Sequence, residues 1–193
     1  MVKRFDCLKL LASWIDEQVI TVTSLSTTAR EWSPLWDRGP NFYGLNLGLC
    51  LPFASGLSLA FPRRKVIALD SDGSLMLDTS SLITVADANP PNLLAIVFDN
   101  QRYGAMGPTA TSRKADIEKM ARGAGIKTTG TLHTLDEFAA SVKIALESPE
   151  LGFFVAKVEP GREPIDNDYA RLDGRPMRDA FVEKLRRYPD YRR

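Results

Sequence analysis

The sequence predicts an α/β fold, a doubly wound and mostly parallel sheet flanked by helices. Three observations predict it. Two apolar strand-like runs, Val66–Leu69 and Leu93–Phe98, are joined by a helix-length segment, which makes a βαβ unit. A third run, Phe153–Val158, is continuously apolar, as strands covered on both faces of a parallel sheet are. Helical and strand patterns alternate along the remaining chain, so helices are expected on both sides of one sheet.

In chain order, residues 3–17 carry Phe5, Leu8, Leu11, Ala12 and Ile15 at helical spacing. Val19–Val22 predicts a short strand that runs into the hydroxyl-rich stretch Thr23-Ser24-Leu25-Ser26-Thr27-Thr28. Such hydroxyls serve as a helix cap or as part of an anion-binding turn. Residues 33–46, with Pro34, Gly39, Pro40 and Gly44, read as loop, and the apolar or small residues from Leu47 to Ala60 predict a buried helix. Beyond the central unit, Asp116–Ala124 predicts a helix stopped near Gly123 and Gly125, and Ile126–Thr128 a short strand. Thr134 with Glu137 forms a capping box for a helix reaching Glu147. A polar tail from Glu159 ends in a helix over Pro176–Arg187; the expectation is one domain over residues 1–193, with 159–193 as its tail.

Bulk properties exclude several function classes. A chain of 193 residues suffices for one good core and is short for two. Hydrophobic and charged fractions of 44% and 25% are those of an ordinary soluble globular protein. A net charge of +1 gives no reason to expect nucleic acid or an anionic membrane as partner. No apolar run has the length of a signal peptide or membrane span. Cys7 and Cys50 are too few for a disulfide framework or zinc site, so a reduced, cytoplasmic setting is expected. His133 is the only histidine, which rules out a Ser-His-Asp triad or a His-rich metal site within this chain.

Chemistry concentrates where the two central strands end. The first stops at Asp70-Ser71-Asp72-Gly73-Ser74 and the second at Asp99-Asn100-Gln101. Open α/β sheets bind ligands at such carboxyl ends. Asp72 and Asn100 each offer a hard oxygen, and Mg²⁺ needs few protein ligands because phosphate and water complete its octahedron. Gly73 lets the backbone approach a phosphate, and Ser74 adds a hydroxyl. These residues by themselves leave open a Rossmann-like turn with incidental polar side chains.

The paired motif resembles the signature of thiamine-diphosphate-dependent enzymes, Gly-Asp-Gly-Ser followed after roughly 25 residues by Asn-Asn. Ser71 stands for the first Gly of that pattern and Asp99 for the first Asn. Upstream, Asn41–Pro52 is similar to the segment that runs beneath the cofactor in that family. Ser24–Ala29 is similar to the diphosphate turn of benzoylformate and related 2-oxo-acid decarboxylases, the group that includes sulfopyruvate and phosphonopyruvate decarboxylases. The resemblance covers about residues 19–158 and implies the thiamine diphosphate-binding fold, with thiamine diphosphate and Mg²⁺ as cofactors. It implies Asp72 and Asn100 as metal ligands through their side chains and Arg102 through its carbonyl. It further implies diphosphate contacts from Gly73, Ser74 and the turn Leu25, Ser26, Thr27. Leu47 would wedge the cofactor into its bent shape, and the Leu45 carbonyl would accept a hydrogen bond from its aminopyrimidine.

Family members also need a domain that holds the pyrimidine ring and provides an activating glutamate. No stretch of this sequence is left to form one. The expectation is therefore the diphosphate-binding subunit of a split 2-oxo-acid decarboxylase, an α2β2-type hetero-oligomer with active sites between subunits. Tyr103, Met106 and Thr109 are candidates for the edge of the substrate pocket. Two alternatives carry other expectations. Val66–Leu75 also looks like the first motif of haloacid-dehalogenase-type phosphatases, which would make Asp70 a nucleophile and Asp72 a general acid/base. A regulatory cofactor-binding subunit without turnover is the other.

Overall fold

A computed structural model describes residues 1–25, 27–166 and 171–191. Six strands form one sheet in the order β2-β1-β3-β4-β6-β5, every pairing parallel. They are β1 (Ile20–Ser24), β2 (Asn41–Leu45), β3 (Val66–Ser71), β4 (Leu93–Asp99), β5 (Thr128–Leu132) and β6 (Gly152–Lys157). The helices are α1 (Arg4–Trp14), α2 (Thr27–Trp32), α3 (Cys50–Ala60), the single turn α4 (Asp72–Leu75), α5 (Ser81–Ala88), α6 (Ile117–Ala124), α7 (Leu135–Glu147) and α8 (Gly174–Arg186).

Strand alternation divides the core into two layers. Ile67, Leu69, Leu94, Ile96 and Phe98 face α1, α2 and α7, where Leu8, Leu11, Trp32, Phe138 and Val142 are buried. Val66, Ala68, Leu93, Ala95 and Val97 face the other way, toward Leu51, Ala54, Leu82, Val85, Ala121 and Phe181. β3 and β4 are thus apolar on both faces up to their last residues, Asp70-Ser71 and Asp99, for the reason their sequence predicted. The chain leaves β1 toward β2 on one side and β3 toward β4 on the other, so the order reverses between β1 and β3. That reversal is where open sheets part their loops and admit ligands.

Local signals hold where hydrogen bonds back them. Thr134 and Glu137 form the reciprocal capping box, Asp116 caps α6 through the Lys119 N–H, and Gly125 ends α6 at φ 111°. Three expectations change. Residues 33–46 contain a strand after all, since Asn41–Leu45 pairs with β1; as a half-buried edge strand interrupted by Gly44 it lacks a long apolar run. The strand expected at Ile126–Thr128 begins two residues early, because Ile126 is buried against α6 and the ladder runs from Thr128 to Leu132. The helix expected to be buried from Leu47 begins at Cys50, and its flank carries exposed Leu49 and Leu59.

The tail folds back on the sheet. Phe181 of α8 meets Phe42 edge-on at 5.2 Å and Phe53 at 6.5 Å, and Tyr188 donates its hydroxyl to the Glu17 carbonyl. Truncating Phe181 to Ala removes the centre of this aromatic cluster and should lower stability by about 3 kcal/mol in a denaturant titration. A detached tail would leave the midpoint unchanged.

Candidate active site

Parallel pairing in register sets Ser71 of β3 opposite Phe98 of β4, so the residues that follow each strand emerge side by side. A cavity of about 250 Å³ opens there. Leu25, Thr27 and Thr28 border it from the end of β1, Leu47 from the β2–α3 loop, and Ser71–Ser74 from the end of β3. Asn100 and Arg102–Met106 close the far side.

Asp72 is 1% exposed and begins α4, while Ser71 caps that turn by accepting the Ser74 N–H at 3.3 Å. The serine in place of the family's glycine therefore has a local use. The Thr109 hydroxyl donates to Asp72 Oδ2 at 2.7 Å and the Thr111 hydroxyl lies at 3.3 Å, which fixes the carboxylate's rotation. Burial pushes the Asp72 carboxyl up to about 6, and the neighbouring Asp99 adds to the effect. Among the described residues no Lys or Arg pairs with Asp72. A bound cation would offset that cost.

After β4 the chain makes two successive side-chain-stabilised turns. Asp99 Oδ1 accepts the Gln101 N–H at 3.0 Å and Asn100 Oδ1 accepts the Arg102 N–H at 2.9 Å. Gln101 sits at φ 61°, and Tyr103 is pinned by its N–H to the Gly107 carbonyl at 2.8 Å. The Tyr103 ring then lies against Gly73. A Cβ on Gly73 would stand 2.5 Å from Tyr103 Cδ2, so only glycine leaves this cradle open. Gly48, at φ 87°, donates its N–H to Ser74 Oγ at 3.1 Å and ties the Leu47 loop to the turn after β3.

Most of the expected residues therefore share one cavity: Leu25, Thr27, Leu47, Asp72, Gly73, Ser74, Asn100 and Arg102. Leu45 stands apart, at the end of β2, where its carbonyl already accepts the Leu25 N–H at 2.8 Å and its side chain does not line the cavity. Ser26 lies outside the described residues. Of the candidate edge residues, Tyr103 and Met106 line the cavity, but Thr109 is buried behind it on Asp72.

Sequence reasoning missed Arg4, a 5% exposed guanidinium in the cavity wall, held by Glu31 at 2.8 and 3.1 Å and by the Gly161 carbonyl at 3.0 Å. No local pattern links positions so far apart. Thr111 and Lys157 were missed for the same reason.

Asp70 does not fit the phosphatase alternative. It is 2% exposed, lies on the sheet face of Val66 and Ala68, and does not line the cavity. Its Oδ1 accepts the Ser71 N–H, and Oδ2 has no hydrogen-bond partner among the described residues. No substrate phosphorus can reach such an oxygen.

The comparisons agree with the geometry. The model of the family described as thiamine pyrophosphate enzyme, C-terminal TPP binding domain, matches residues 37–156. The chain belongs to this family of thiamine diphosphate enzymes, and its cofactors are thiamine diphosphate and Mg²⁺. More particularly, it is 33% identical over 188 residues to the sulfopyruvate decarboxylase subunit beta of Methanocaldococcus jannaschii, covering 96% of this chain and 98% of that subunit. A sulfopyruvate decarboxylase of Methanosarcina acetivorans is 32% identical over 167 residues, covering 85% of this chain and 43% of that protein. The fold matches the solved benzoylformate decarboxylase of Polynucleobacter necessarius with a TM-score of 0.70 at 19% identity, over 84% of this chain and 34% of that one. The chain thus spans about a third of that solved enzyme's length.

The residues present fit the group. Among the described residues no three His, Cys, Asp or Glu side chains gather to hold a metal by themselves. One carboxylate, one amide and backbone oxygens beside a glycine cradle instead suit a hard cation that shares its shell with phosphate. Two outcomes follow. Gly73→Ala should displace the Tyr103 ring and weaken thiamine diphosphate binding about tenfold or more, read by tryptophan fluorescence quenching. Asp70, pushed up to about 6 by burial, stabilises the cofactor-free fold while protonated. Its contribution, at most about 3 kcal/mol, is present below the ordinary carboxylate range and lost as pH rises through about 6. The stability difference between wild type and Asp70→Asn should fall over that window, with cofactor binding largely kept.

Proposed function

We propose that this chain is the diphosphate-binding subunit of a split, thiamine diphosphate- and Mg²⁺-dependent 2-oxo-acid decarboxylase, a lyase that acts with a separate pyrimidine-binding subunit. The observation that carries the reading is a cofactor cavity that is only half built. At about 250 Å³ it falls below the roughly 300–1,000 Å³ usual for ligand pockets, and its rim is apolar. Leu25 (45% exposed) and Met106 (84%) present bare side chains in its wall. A partner chain would cover them and complete the site. The near full-length similarity to a subunit named sulfopyruvate decarboxylase beta supports the same division of labour.

Within this reading each residue has a task. Asp72 and Asn100 bind Mg²⁺ through side-chain oxygens and Arg102 through its carbonyl. Gly73, Ser74 and the turn of Leu25, Ser26 and Thr27 contact the diphosphate. Leu47 wedges the cofactor, its loop held by the Gly48–Ser74 hydrogen bond. The Leu45 carbonyl, which has a second lone pair beside the one given to Leu25, receives the aminopyrimidine. When bound, the cofactor supplies the nucleophile and the electron sink for CO₂ loss from a 2-oxo acid. This chain anchors and bends it, and the partner's carboxylate activates it. Stoichiometry is α2β2, one domain spans residues 1–193 and the setting is cytoplasmic. Buried free thiols at Cys7 and Cys50 fit a reducing compartment.

Sulfopyruvate, the substrate in the relative's name, is the first acid to assay. Mixed with a pyrimidine-binding subunit, the chain should release CO₂ only when thiamine diphosphate and Mg²⁺ are both present. Asp72→Ala should reduce that rate at least about a hundredfold by removing the one charged metal ligand. A complex that binds the cofactor yet turns over no 2-oxo acid would refute the decarboxylase reading and leave a regulatory subunit.

A further inference from the structure

The aspartate at position 99, where the family pattern has asparagine, brings a second carboxylate to the metal end of the cavity. The structure gives it a full set of partners. Asp99 is wholly buried at the end of β4. Its Oδ1 accepts the Thr111 hydroxyl at 2.8 Å and the Gln101 N–H at 3.0 Å. Its Oδ2 pairs with Lys157 Nζ, which reaches it from the facing position of β6. Wholly buried and outside the cavity lining, Asp99 is not available as a metal ligand.

Two hydroxyls with one proton each stand between the carboxylates. Thr109 donates to Asp72 and Thr111 to Asp99, and the two hydroxyl oxygens lie 2.7 Å apart. Both threonines are 7% exposed, on the loop that follows the Tyr103 turn. Contacts therefore run from Lys157 through Asp99, Thr111 and Thr109 to Asp72, and with both protons given to the carboxylates the two threonine oxygens meet as packed neighbours. Two carboxylates and one ammonium leave one net negative charge facing the cation.

We propose that buried Asp99 and half-buried Lys157 form a counter-ion pair that positions Asp72 for the divalent cation through Thr109 and Thr111. The proposal rests on reading Asp72 as a metal ligand. Lys157 is a positioning residue whose charge cancels that of Asp99. Removing one partner leaves the other's charge uncompensated, whereas removing both charges together restores the balance.

The test uses the full chain assembled with its pyrimidine-binding partner and saturated with thiamine diphosphate. Mn²⁺ replaces Mg²⁺, and free Mn²⁺ is followed by electron paramagnetic resonance. Asp99→Asn leaves Lys157 unopposed beside a divalent ion and should weaken Mn²⁺ binding about tenfold or more. Adding Lys157→Met to it should bring affinity back to within about threefold of wild type. Thr111→Val, which keeps the shape and removes the hydroxyl, should weaken Mn²⁺ about threefold to tenfold, with the melting temperature of the cofactor-free chain within a few degrees. Wild-type affinity in Asp99→Asn or Thr111→Val, or a double variant as weak as Asp99→Asn, would overturn the proposal. Asp72→Ala is the control: if it alone abolishes binding, the ligand reading survives and only the counter-ion role falls. If it too binds like wild type, the ligand reading falls as well.

Discussion

The in-register parallel pairing of β3 with β4 is the constraint on which the site depends. Residues Val66–Ser71 and Leu93–Phe98 are matched one to one, so both strands stop at the same level. Strand order reverses on the neighbouring side, between β1 and β3. Loops and the first turns of α2 and α4 border the space above that edge, and the chain after β3 and β4 reaches the rim with polar residues. The side-chain oxygens of Asp72 and Asn100, the glycine cradle and the Thr27–Thr28 turn converge because the ladder delivers them to one place. A slip of one residue in β4 would put Asp99 or Gln101 where Asn100 now borders the cavity.

Asp70 and Asp72 show how finely that placement is drawn. Two residues apart in sequence, both are buried, and burial pushes both carboxyls up to about 6. Asp70 is still on the strand and points into the layer beneath α3, beside Cys50. Asp72 has turned with the chain into α4 and borders the cavity. One carboxylate is part of the core and the other is part of the site, and the capping bond from Ser71 marks the change.

Much of this was legible in the sequence because it is local. Apolar runs predict β3, β4 and β6, the Thr134–Glu137 pair predicts α7, and the acidic and amide residues at strand ends announce a site for a hard cation. What was not legible depends on residues far apart in the chain. Edge strand β2 has only a half-buried surface and a central glycine, so its five residues read as loop. Arg4 finds Glu31 across 27 positions and Lys157 finds Asp99 across 58, and neither pairing has a spacing that a sequence window detects. Thr109 looked like a loop hydroxyl open to a substrate, and Thr111 carried no signal at all. Their loop folds under the rim instead, where a buried carboxylate needs donors.

Each of the six strands finds its ladder partners within residues 20–157, and helices from the same chain cover both faces. No hydrogen-bonded ladder has to cross to another polypeptide for the site's floor to form. A covalent joint to the other half of the enzyme is then a matter of genetic arrangement rather than of folding. This chain matches 98% of a subunit in one relative and 43% of a longer protein in another. Fusing or separating the halves would change how often they meet, since a tether raises effective concentration, while leaving the anchor for the diphosphate intact.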